Sequence, residues 1–181
     1  MKRRGFLKLL AATLASAGVS AVTIGNVFAK EPKADKLEVG EAIRRLVKRY
    51  NAATTKEQKQ KIMLDALHVM SEAHRDHGLV WACGAVLYIS ELASNCVNDL
   101  IKVATQNKQT PGIKEFLGGL RTSLAHDADP SVRPLLLYKA EVARREMGGK
   151  EVQISPWDLT ALKKYHPEVY AQHVKEHGVA V

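Results

Sequence analysis

Apolar residues recur at threes and fours through most of this chain and almost nowhere alternate with polar ones. Such spacing puts side chains on one face of a helix, whereas alternation would build a strand. From 37 to 52 the apolar positions are Leu37, Val39, Ala42, Ile43, Leu46, Val47 and Tyr50, which predicts a first amphipathic helix. Thr54 or Thr55 can cap a second, with Glu57 and Gln58 in its first turn. That helix carries Ile62, Met63, Ala66, Leu67, Val69 and Met70 and stops at Gly78, a natural C-terminal glycine. The third apolar run is the longest, Leu79 to Gln106. Leu79, Ala82, Val86, Ala93, Val97, Leu100 and Ala104 form its stripe, and Val80, Leu87, Ile89, Leu92 and Ile101 widen it. A single long helix at the centre of the core is therefore expected.

"NKQTPG" interrupts the pattern at 107–112, and a short helix from Gly112 to His126 follows, weakened by Gly118-Gly119. After "HDADP", Asp129 can cap the next helix with Pro130 at its first position. This helix carries Val132, Leu135, Leu136, Ala140 and Val142 and ends at Gly148-Gly149, with Pro134 still near its first turn. "EVQI" (151–154) reads as extended. Ser155-Pro156 opens a last helical region, broken at His166-Pro167 and ended by Gly178. The prediction is an all-α fold, a compact bundle of five to seven helices over residues 37–181. "DPSVRPLLL" (129–137) resembles the start of the second helix of a HEAT repeat, but no second copy follows, so a solenoid is not expected.

Residues 9–29 break the amphipathic scheme, because they contain no charge at all. Lys2, Arg3, Arg4 and Lys8 precede them, and small residues including Val27 and Ala29 close them. A basic head, an apolar middle and a small-residue end are the layout of a secretory signal, with cleavage expected between Ala29 and Lys30. Lys30 to Lys36, charged and containing Pro32, then reads as a linker. The head is specific. Arg3-Arg4-Gly5-Phe6-Leu7-Lys8 resembles the twin-arginine (Tat) motif of bacterial signal peptides: two arginines, any residue, Phe, Leu and often Lys. Lys2 stands where Ser or Thr is more usual. The resemblance covers residues 1–29 only. It implies Arg3, Arg4, Phe6, Leu7 and Lys8 as targeting residues, the Tat translocation machinery as a partner, and export of a folded chain to the periplasm. An uncleaved segment would instead anchor the chain N-terminally, facing the same compartment.

Charge adds little beyond the leader. The chain carries 27 basic and 19 acidic residues, and the leader alone accounts for four of the eight excess positive charges. What remains is a mild excess without basic-aromatic interleaving, which argues against a nucleic-acid partner. The basic outer face of the first helix, with Arg44, Arg45, Lys48 and Arg49, reads as solvated. Trp81 and Trp157 both read as packing residues.

The chemistry-bearing residues converge weakly. Cys83 and Cys96 lie thirteen residues apart in one predicted helix, about 20 Å along its axis. A disulfide needs Cα atoms within about 7 Å, so two buried thiols are expected unless the helix breaks near Ser94-Asn95. No haem-attachment motif, P-loop, dinucleotide-binding glycine pattern or nucleophile elbow is present, and no catalytic residue stands out. The histidines are the remaining candidates. His68 and Glu72 are four apart, His74 and His77 three apart, and His173 and His177 four apart. Such pairs converge on one ion from one helix, and two helices giving two ligands each would close a metal site. The plainer reading is that "AHRDHG" and "AQHVKEHG" are helix ends where a cation meets the negative end of the dipole.

Three functional classes remain open: a non-catalytic accessory or interaction subunit, exported alone or with a redox-type partner; a metal- or haem-binding bundle using the histidines; and an enzyme whose site one sequence does not display. Absence of convergence favours the first and leans against an enzyme.

Overall fold

The computed structural model describes residues 36–125 and 131–178. Residues 1–29, expected to be a signal segment, residues 30–35 of the expected linker, and His126, Asp129 and Pro130 lie outside the described residues. The described residues form eight α-helices and no strand, so the protein is an all-α bundle. The helices are α1 Lys36–Ala52, α2 Lys56–His77, α3 Leu79–Leu92, α4 Val97–Gln106, α5 Ile113–Ala125, α6 Val132–Glu146, α7 Pro156–Tyr165 and α8 Pro167–His177.

Local signals set most boundaries. Thr55 and Gln58 complete a capping box at the start of α2: the Thr55 hydroxyl accepts the Gln58 N–H at 3.2 Å, and Gln58 Oε1 accepts the Thr55 N–H at 3.3 Å. Ser155 caps α7 by accepting the Asp158 N–H at 3.1 Å, with Pro156 at the first helical position. Residues 151–154 join no sheet.

The long helix expected over Leu79–Gln106 is two helices. Ala93 leaves helical geometry (φ −146°, ψ 72°), Ser94–Cys96 make one 3₁₀ turn, and the two parts meet at 111°. Ser94 and Asn95 are residues whose side chains compete with the backbone ladder. The apolar pattern runs through the break because α3 and α4 are both buried. Ten of the fourteen α3 residues are enclosed, on every side, by α1, α2, α5 and α6. α4 turns away to pack on α2. No single described helix is long and apolar enough to cross a membrane, and the apolar side chains of the α3–α4 pair lie mostly in the core.

Close helix contacts depend on two glycines. A Cβ on Gly84 of α3 would lie 2.8 Å from the Ala143 methyl of α6, and one on Gly40 of α1 would lie 2.0 Å from the Met147 carbonyl oxygen. These absent side chains let α1, α3 and α6 meet backbone to backbone. Leu37, expected on the buried face of α1, is instead 62% exposed, because it lies in the first turn.

α7 and α8 form a hairpin outside this core. They pack on each other and reach the body through α6, where Tyr138, Leu159 and Leu162 make a second, smaller apolar cluster. His166, between them, lies 2.7 Å through Nε2 from the Ser131 carbonyl oxygen at the start of α6.

Candidate functional site

The interior holds one strongly polar constellation. Arg144, on α6, is fully enclosed. Its Nε and Nη2 donate to Glu141 Oε2 at 2.9 and 2.7 Å, its Nη1 donates to Glu91 of α3, and Nη2 also donates to the Glu151 carbonyl at 2.8 Å. Glu91 Oε1 accepts the Lys150 N–H at 3.1 Å. One guanidinium thus ties α3, α6 and the segment after α6 together, its fork matched by two carboxylates. Arg44 of α1 does similar work at the partly exposed edge. Its Nη1 donates to Tyr88 Oη at 2.9 Å and to the Met147 carbonyl at 3.1 Å, while Tyr88 donates to the Gly148 carbonyl at 3.2 Å. Tyr50 Oη donates to Asp99 Oδ2 at 3.0 Å, joining α1 to α4, and burial raises its phenol well above the ordinary value. All of these groups latch helix to helix.

Sequence reasoning passed over Arg144, and placed Arg44 on a solvated face. A signal existed. Glu91 is the lone charge in the run from Leu79 to Ala93, and Arg144 falls on the stripe of Leu136, Ala140, Ala143 and Met147. A charge inside an apolar stripe is tolerated only with a partner.

The sequence-predicted ligands are distributed as follows. His68 and Glu72 are exposed on α2. His74 faces Phe116 of α5 with ring centroids 6.0 Å apart, and burial holds its imidazole below the ordinary value, partly opposed by Glu115. His77 stacks on Trp81 of α3 at 4.2 Å. His173 and His177 lie one turn apart on α8 with centroids 4.7 Å apart, and His173 meets the edge of Tyr138 at 5.5 Å. The α2 histidines and the α8 histidines therefore have different neighbours. Among the described residues no three His, Cys, Asp or Glu side chains gather as a metal centre would require. The Gly118-Gly119 pair also has a use here: a Cβ on Gly119 would come within 3.0 Å of His74 Nε2.

Cys83 and Cys96 are both buried and both free. They lie on opposite sides of the α3–α4 bend, so the continuous helix once placed between them is absent. Burial pushes both thiols up to about 12, which keeps them protonated and poorly nucleophilic.

The two tryptophans diverge. Trp81 is enclosed, with the Lys36 ammonium 5.3 Å from its ring centroid. Trp157, expected to pack, is 81% exposed in the first turn of α7. Its neighbours Pro156 and Thr160 are exposed too, while Leu159 takes the buried side. Tyr165 at the end of α7 is 37% exposed, with the Lys164 ammonium 4.7 Å from its centroid.

No protein-family model matches this chain, and no curated protein or solved structure does.

Proposed function

We propose that the chain is a periplasmic helical accessory subunit, non-catalytic itself, that is exported folded by the twin-arginine route and acts by binding a partner. The observation that carries the reading is Arg3-Arg4-Gly5-Phe6-Leu7-Lys8 ahead of an uncharged run ending at Ala29. The membrane enters only through that segment. Two features support the second half. Arg44, Tyr50 and Arg144, the polar groups joined between helices, are engaged in holding the fold together. Trp157 stands in the open, where a large aromatic side chain is costly to leave and is a frequent anchor at interfaces. A co-exported redox-type subunit fits as the partner, because the route serves cargo that folds before export.

Cell fractionation of the chain and of an Arg3→Lys/Arg4→Lys variant is the test of route. The expected result is a periplasmic protein beginning at Lys30 and a variant retained in the cytoplasm. A double variant exported at the wild-type level would overturn it. Native purification from the periplasm tests the partner. A stoichiometric companion lost on Trp157→Ala is expected, and a chain that purifies alone overturns the accessory reading.

A further inference from the structure

α8 ends in the turn His173-Val174-Lys175-Glu176-His177, and both imidazoles hold an enclosed nitrogen that nothing in the fold engages. His173 is 3% exposed, and its Nδ1 has no hydrogen-bond partner. His177 Nε2 is likewise enclosed without a hydrogen bond, and its nearest acid, Glu176, is 3.8 Å away. Enclosed polar atoms are almost always satisfied, so a pair of exceptions within one turn needs an explanation. The helix dipole does not supply it, because it favours an imidazole near solvent and His173 is enclosed. Burial and the neighbouring His177 hold His173 below the ordinary histidine value, and Glu176 opposes this only in part. Gln60 Nε2 and His77 Nδ1 are also enclosed without partners, but each stands alone.

We propose that His173 and His177 form a two-imidazole site for a borderline divalent transition ion, Cu²⁺, Ni²⁺ or Zn²⁺, whose other positions are filled from outside the chain. Imidazole is the common ligand of these ions, and residues four apart on a helix present two of them to one ion. Among the described residues no three His, Cys, Asp or Glu side chains gather as a closed centre requires, so this chain supplies the two imidazoles alone. The site belongs to α8 and Tyr138, and stands whether or not the leader directs export.

Titration of the chelator-stripped full chain with Cu²⁺ at pH 7.5 is the test, read by calorimetry and by the nitrogen couplings in its electron paramagnetic resonance spectrum. One ion per chain with a two-nitrogen signature is expected. His173→Gln and His177→Gln should each weaken binding at least tenfold and remove the signature, whereas His68→Gln at the exposed pair should change neither. Should His173→Gln fail to fold, His177→Gln carries the test alone, since its side chain is partly exposed. Absence of binding, or tight binding that survives His177→Gln, overturns the site.

Discussion

Arg144 is enclosed more completely than any other charged side chain among the described residues, and two carboxylates share it. Moving these charges out of water costs several kcal/mol each, and their mutual attraction offsets that only while all three are present. Arg144→Met should therefore destabilise the protein by about 3–5 kcal/mol in urea unfolding. Replacing Arg144, Glu91 and Glu141 together by apolar residues of similar size should cost less than the single change. His74 supplies a pH effect. Its folded pKa is lowered, chiefly by burial, so the unfolded chain binds the proton more readily. Stability is complete above the unfolded value of about 6.5 and declines as pH falls through the folded one. His173 acts in the same direction. Thermal midpoints between pH 7.5 and 5 should fall, and fall less steeply in His74→Gln.

Helices meet here through what side chains leave out. Gly84 in mid-α3 forgoes about 1 kcal/mol of helix propensity relative to Ala. A methyl there would lie 2.8 Å from Ala143 Cβ and 3.1 Å from the Ala140 oxygen, and overpacking of that kind costs about 1–3 kcal/mol. The clash outweighs the propensity gain, so Gly84→Ala should lower stability and Gly84→Leu lower it further. Gly118 of α5 provides the contrast. A Cβ there meets nothing within 4 Å, so Gly118→Ala should raise stability by about 0.5–1 kcal/mol. Circular dichroism melts of the three variants check both signs.

The molecule divides into a main core around α3 and a hairpin, α7–α8, seated on α6 through Tyr138, Leu159 and Leu162. Three enclosed side chains, at about 1.5–3 kcal/mol each, hold far less than the main core does. The hairpin should open locally before the whole unfolds. Tyr138→Ala should speed amide hydrogen exchange in 156–177 while leaving α1 to α5 near their wild-type rates; uniform acceleration throughout would show a single cooperative unit.

Features controlled by neighbours in the chain were legible in advance. Thr55 with Gln58, Ser155 before Pro156, His166 before Pro167, and the glycines at 78 and 178 punctuate helices wherever they occur, since caps and proline sterics act over three or four residues. The helical period fixed the all-α class for the same reason. The break near Ser94-Asn95 was named only as an alternative to one long helix, because apolar spacing records which faces are buried and both sides of the bend are buried. The open position of Trp157, the three-way clasp on Arg144 and the separation of the α2 histidines from the α8 pair were not legible. Each depends on which helix arrives from far along the chain. A residue's own neighbours set its backbone, but whether its side chain meets solvent, a carboxylate or another imidazole is settled only when distant helices pack.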